Sequence, residues 1–150
     1  PLDRTPKVVL SWAPHPKALP QAVPNSFIRM MRRMPVELVI THPIGYTLDP
    51  EQVGEYQPVH NQLEALEGAD FVYVKNWSSV QSYGQVLSQD PSWMMTRNKL
   101  GNARFMRCLP VRRHVVVQAS VLDESNSLVL HQAANRTVAA QLALLHLLKQ

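Results

Sequence analysis

A chain of 150 residues that is 45% hydrophobic and 17% charged is about one domain, able to bury roughly two thirds of its unfolded surface and too apolar for a disordered tail. Its net charge of +4 is made locally, by Arg29, Arg32 and Arg33 and by Arg104, Arg107, Arg112 and Arg113. Without a continuous basic stripe and interleaved aromatics, that argues against nucleic acid and for separate pockets that hold small anions. One cysteine excludes an internal disulfide, no apolar run reaches the roughly 20 residues of a membrane span, and no signal peptide opens the chain, so no membrane is expected and the expected setting is the cytoplasm.

The polar, proline-bracketed run from Pro1 to Pro6 suits a linker into the first strand. Lys7–Val8–Val9–Leu10–Ser11–Trp12 is a short apolar run of the kind buried on both faces of a parallel sheet. In residues 13–24 the prolines at 14, 16, 20 and 24 forbid regular structure. Asn25 and Ser26 then cap a helix with Phe27, Met30, Met31 and Met34 on one face and Arg29, Arg32 and Arg33 mostly on the solvated other. A second strand, 36–41, closes at His42–Pro43 and a turn at Gly45. Asp49–Pro50–Glu51 has the cap-then-proline order of a helix start, predicting a short helix over 49–56. A weak strand over 58–60 and a helix over 62–67, ended by Gly68, precede the clear strand Phe71–Val72–Tyr73–Val74–Lys75.

Beyond Trp77 the pattern breaks into a polar loop over 78–89, of a length that is usually functional or mobile. Asp90–Pro91 starts a helix over 90–100 that Gly101–Asn102 ends. A strand-like run follows and closes in Phe105–Met106–Arg107–Cys108–Leu109–Pro110–Val111–Arg112–Arg113. A short helix over 119–123, a last strand over 127–130 and a last helix over 135–149 complete the chain.

Strands and helices thus alternate with short connections. This predicts one α/β domain over 1–150: a doubly wound parallel sheet of about five strands with helices on both faces, a Rossmann-like three-layer sandwich. The five glycines are scattered, so neither a Walker loop nor a dinucleotide loop is present, and no cofactor is expected. The last helix is apolar almost all round, from Val138 to Leu148. It is either a central buried helix or one whose second side is covered by something outside this domain.

Open α/β sheets place ligands beyond the carboxyl ends of their strands. Read singly, His15 is a loop histidine and Lys75 a solvated lysine. Both gain weight because His15, Lys75 and residues 108–113 all follow strands of one inferred sheet and so share an edge suited to an anionic substrate. Cys108 has no adjacent base, which speaks against a nucleophile, and a single cysteine with six histidines makes no convincing metal set. The peptide before Pro110 can turn the preceding carbonyls away from the ladder, where they accept from a ligand amide; the plain alternative is a buried cysteine at a strand end.

Cys108–Leu109–Pro110 with Val111–Arg112–Arg113, and Ala133–Ala134–Asn135–Arg136 before the last helix, resemble the carboxyl-terminal half of the transcarbamylases, most closely the N-acylornithine branch that acts on N-succinyl- or N-acetylornithine. Supporting stretches are Ser11–Trp12–Ala13–Pro14–His15, the run from Leu19 to Ser26, Ile40–Thr41–His42–Pro43, and Gly68–Ala69–Asp70–Phe71 through Lys75–Asn76–Trp77. The resemblance implies carbamoyl transfer from carbamoyl phosphate to the side-chain amine of an acylated ornithine in arginine biosynthesis. By position, the carbonyls of Cys108 and Leu109 would hold the carbamoyl amide, and Arg136 would bind carbamoyl phosphate and stabilise the tetrahedral charge. His15, Lys75 and Arg112 would hold the acylated amino acid, and loop 78–89 would close over it. The family's usual histidine before Cys–Leu–Pro is here Arg107. The amino-terminal carbamoyl-phosphate domain has no counterpart in this sequence, and family enzymes complete their sites across a homotrimer interface. The alternative is a non-enzymatic module that keeps only the anionic amino-acid pocket.

Overall fold

The computed structural model describes residues 3–149, so Pro1 and Leu2 of the linker-like run lie outside it. Four parallel strands, β1 (Lys7–Trp12), β2 (Glu37–Thr41), β3 (Phe71–Lys75) and β4 (Arg104–Met106), form one sheet in the order β2-β1-β3-β4. Their alternating side chains feed two cores. Val9, Val72, Val74 and Phe105 face one side, with Ala65, Leu66, Leu100 and Val121 from helices. Leu10, Trp12, Ile40 and Tyr73 face the other, with Ile28. Helices therefore cover both faces, as continuously apolar strands require. The chain leaves β1 for β2 on one side and returns to β3 on the other, so the crevice at the carboxyl ends of β1 and β3 is the topological switch point.

The expected fifth strand is absent from this sheet. Ser127 makes only an isolated bridge to Phe105, and Leu128 N–H donates to Phe105 O at 2.8 Å before the chain turns into α6 (Val129–Leu148). The run 127–130 is apolar because Val129 enters the core as the first helical residue, a pattern that short stretches share with strands. Residues 58–60 likewise contribute a single bridge, Thr41 to Val59.

The first helix, α1 (Ala22–Met31), starts before the expected caps, because Pro24 sits in its first turn, where an N–H has no helical partner to lose. Its buried face centres on Ile28, fully enclosed, while Met30 and Met34 are about half exposed at 53% and 46%. The next helix, α2 (Pro50–Val53), stops short of Tyr56 at Gly54, whose φ is +64°; a β-carbon there would run into the Arg32 guanidinium. Asn61 caps α3 (Gln62–Leu66) through Leu63 N–H and Glu64 N–H, and Gly68 follows with φ +68°.

The single helix expected over 90–100 divides into a 3₁₀ turn, Pro91–Trp93, and α4 (Arg97–Leu100). The cause is tertiary: Met95 N–H donates to Val116 O at 3.0 Å and Gln118 N–H to Met95 O at 2.8 Å, drawing the middle into an extended bridge. Thr96 then caps α4. The short helix α5 (Ala119–Asp123) falls where the sequence places it.

The last helix is neither buried nor half-covered. Only its first turn meets the domain, and every residue from Ala133 to Lys149 is exposed, with Leu142 at 61% and Leu147 at 66%. No helix among the described residues is long and apolar enough to cross a membrane.

The face of α1 is testable by paired truncations. Ile28→Ala should cost about 2–5 kcal/mol of unfolding free energy in urea titrations, as buried isoleucine deletions do, whereas Met30→Ala should change it by less than about 0.5 kcal/mol. Equal losses would contradict this packing.

Candidate functional site

At the switch point Trp12 pairs with Lys75, and Ala13 N–H donates to Lys75 O at 3.2 Å. Side chains continue the stitching after the ladder ends. Asn76 Nδ2 donates to Ala13 O at 2.8 Å, Trp12 Nε1 to Trp77 O at 3.1 Å, and Trp77 Nε1 to Tyr46 O at 2.9 Å. Gln21 adds a third loop by donating to Ser78 O at 2.7 Å and to Thr47 O at 3.2 Å. The loops leaving β1 and β3 are thus fixed where they must present side chains.

His15 is half-buried, its Nδ1 held against the Lys17 backbone at 2.9 Å, which leaves Nε2 for a ligand. Its basicity is lowered, chiefly by burial and further by the charges of Arg112, Arg107 and Lys75. Lys75 is buried at 9% exposure, and its ammonium is also less basic than usual, again from burial first and then from Arg107, with Cys108 opposing. Arg107 thus bears on both His15 and Lys75. Among the described residues none of Lys75, Arg107 and Arg112 forms an ion pair.

The Cys108 segment lies alongside. Its Leu109–Pro110 peptide is cis, Cys108 is partly exposed, and Leu109 and Arg112 are exposed. Arg107 is turned inward at 2% exposure. Its Nη1 donates to Val74 O at 2.8 Å, its backbone N–H to Gln132 Oε1 at 3.0 Å, and its buried Nε has no partner. The Tyr73 hydroxyl sits beside Cys108 and Gln132, and its pKa is raised by burial first and by Cys108 next.

Arg136 stands apart from this cluster. It is exposed on α6, four residues after Gln132 and so on the same helix face, one turn further from the sheet. Of loop 78–89, the start is anchored rather than loose. Ser78 and Ser79 are buried, Ser78 N–H donates to Leu19 O at 2.8 Å, and Val80 N–H to Thr47 O at 2.9 Å. Tyr46 pins the far end, its hydroxyl accepting from Ser88 N–H at 2.7 Å, so the stretch 81–87 projects between two fixed points. No three histidine, cysteine or acidic side chains gather as a metal set among the described residues.

Three residues of this cluster escape the sequence reading: Asn76, Tyr73 and Gln132. Two carried a periodic signal. Tyr73 is two before Lys75, hence on the same strand face, and Gln132 is four before Arg136 on one helix face.

Comparison with known proteins adds a family. Residues 20–148 match the model for the aspartate/ornithine carbamoyltransferase Asp/Orn binding domain. The chain is 48% identical over 149 residues to N-succinylornithine carbamoyltransferase of Bacteroides fragilis, covering 96% of this chain and 47% of that protein. It is 30% identical to N-acetylornithine carbamoyltransferase of Xylella fastidiosa, covering 87% and 45%. A crystal structure of N-acetyl-L-ornithine transcarbamylase superposes with a TM-score of 0.82 at 30% identity, covering 89% of this chain and 47% of that one. A mutant of that enzyme complexed with carbamyl phosphate and N-succinyl-L-norvaline superposes at 0.79 with 32% identity and the same coverage. The chain spans about half the length of the relatives it matches.

Arg107 is a buried cation with an unpaired Nε and, among the described residues, no ion-pair partner, so its desolvation offsets what its hydrogen bond to Val74 O contributes to folding. Arg107→Met keeps the bulk and removes the charge, and should shift unfolding free energy by no more than about 1–2 kcal/mol in either direction. It should weaken succinate binding, followed by NMR titration, about tenfold. A large loss of stability with unchanged succinate binding would make Arg107 a structural residue only.

Proposed function

Because the chain belongs to the aspartate/ornithine carbamoyltransferase family through its Asp/Orn-binding domain, we propose that it is the amino-acid-side half of a carbamoyltransferase acting on an N-acylated ornithine. The observation that supports this reading is that Arg112, Arg107 and Lys75 all bear on His15 beyond the carboxyl ends of β1 and β3, while among the described residues none of these cations forms an ion pair with a carboxylate. Such a site suits a ligand that brings its own carboxylate. Lys75 and Arg112 would take the α-carboxylate and His15 Nε2 a neighbouring polar atom, leaving the side-chain amine near Cys108.

In the reaction, the neutral amine attacks the carbamoyl carbon of carbamoyl phosphate. A C–N bond forms, the C–O bond to phosphate breaks, phosphate leaves with the electron pair, and the amine nitrogen loses a proton. The carbonyls of Cys108 and Leu109 would accept from the carbamoyl NH₂, and Arg136 would face the charge that develops on the carbamoyl oxygen and phosphate. The projecting stretch 81–87 would close over the bound amino acid. The remaining phosphate ligands would come from the family's amino-terminal domain, absent from these 150 residues, and the exposed apolar length of α6 would dock against it. By family resemblance the full enzyme is a homotrimer of the cytoplasm, serving arginine biosynthesis.

A second reading, a binding module without transfer, draws on Arg107. Where the family usually has a histidine, this guanidinium is turned onto Val74 O instead.

The two readings separate when the chain is mixed with the amino-terminal half of the Bacteroides fragilis relative and given carbamoyl phosphate and N-succinylornithine. The enzyme reading expects N-succinylcitrulline from the mixture, none from the chain alone, and at least about a hundredfold less product with Arg136→Ala, the scale of losing one transition-state donor. Product from the chain alone would refute its incompleteness. Amino-acid binding with no product from the mixture would establish the module instead.

A further inference from the structure

Residues 81–87 stand clear of the domain, all of them exposed except Ser82. Among the described residues, the hydrogen bonds that join 80–88 to distant parts of the chain all run to two adjacent positions, Tyr46 and Thr47. Thr47 O accepts from Val80 N–H at 2.9 Å, and Thr47 Oγ1 donates to Gln81 Oε1 at 2.9 Å. The Tyr46 hydroxyl accepts from Ser88 N–H at 2.7 Å and donates to Ser88 O at 3.2 Å, clamping that residue through both its backbone groups. Both ends of the loop thus hang from one point. That point is itself fixed. The Tyr46 ring lies against Trp12 with centroids 4.4 Å apart, Tyr46 O accepts from Trp77 Nε1 at 2.9 Å, and Trp12 Nε1 donates to Trp77 O at 3.1 Å. Tyr46 therefore closes a triangle with Trp12, three residues before His15, and Trp77, two after Lys75. Its ring belongs to the frame of the cationic edge and its hydroxyl to the loop.

We infer that Tyr46 is a positioning residue, the hinge pin that sets stretch 81–87 relative to His15 and Lys75 and so favours its closure over a bound amino acid. The inference rests on the amino-acid reading above and adds to it the group that ties closure to the site. Without the hydroxyl, the span free to move would run on from Ser88 to the turn that Asp90 caps. Each residue so released must be ordered again on closure, which weakens binding. A ligand too small to need the loop would not feel the change.

The test is Tyr46→Phe in the full chain, which keeps the ring on Trp12 and removes only the hydroxyl. Ser88 is half-buried, so water can take over its N–H, and the midpoint of urea unfolding should hardly move. The ¹H–¹⁵N heteronuclear NOE, which reports picosecond to nanosecond motion, should fall across 81–88 and stay high at Trp77 and Ser78. In NMR titrations N-succinyl-L-norvaline should bind about tenfold more weakly, the scale of ordering one loop residue. Succinate should stay within about twofold of its affinity for the unaltered chain. Unchanged NOE values, or a looser loop with unchanged affinity for N-succinyl-L-norvaline, would overturn the hinge and leave the amino-acid site standing. An equal loss for both ligands with a lower urea midpoint would make Tyr46 a packing residue only. If the unaltered chain binds neither ligand, the amino-acid reading falls and takes the closure role with it.

Discussion

The structure depends on how the two loops at the switch point are tied together once the sheet ends. Trp12 and Trp77, both fully buried, each donate an indole N–H to a backbone carbonyl of another loop, and Asn76 closes the gap between β1 and β3. Buried donors that find carbonyls avoid the full desolvation penalty of an unpaired polar group, so these contacts fix loop backbone that no ladder holds. A small displacement here would move His15 and Lys75 together. That rigidity is what lets a sheet edge act as a site: the side chains that meet a ligand are carried on segments whose positions the core determines.

Onto this frame the sequence loads positive charge. Lys75 and Arg107 are largely withdrawn from water and lack ion-pair partners among the described residues, an arrangement costly for folding and useful for holding an anion. The ion pairs that do form lie elsewhere. Arg4 meets Asp70 at the amino ends of the strands, and Arg113 meets Asp123 beside α5. Arg113 is therefore paired, while its neighbour Arg112 has no ion-pair partner among the described residues. Beside the same sheet edge, Gln132 ties the first turn of α6 to Arg107, and beyond that turn α6 carries exposed leucines along most of its length.

The sequence made the sheet and its edge legible because β1 and β3 are continuously apolar runs, a pattern that parallel burial on two faces imposes. His15, Lys75 and the Cys108 segment followed from their places after strands. What stayed hidden was tertiary. The bridge of Met95 with Val117 that divides residues 90–100, and the hydrogen bonds that end the sheet at Phe105, come from residues more than twenty positions away. In α1 the spacing of Phe27 and three methionines suggests the apolar face, and only packing shows that Ile28 is the enclosed residue. Arg107 could be seen as a cation in sequence, but its inward turn onto Val74 O is a property of packing alone.

The central claim is that the carboxyl end of this sheet, and not another basic surface, receives an anionic amino acid. A crystal structure of the chain with N-succinyl-L-norvaline tests it most directly. The account predicts the α-carboxylate within hydrogen-bond distance of Lys75 Nζ or the Arg112 guanidinium, with His15 alongside. Density for the compound instead in the groove lined by Arg4, Phe71 and Arg104, at the opposite end of the strands, with the crevice left empty, would contradict it.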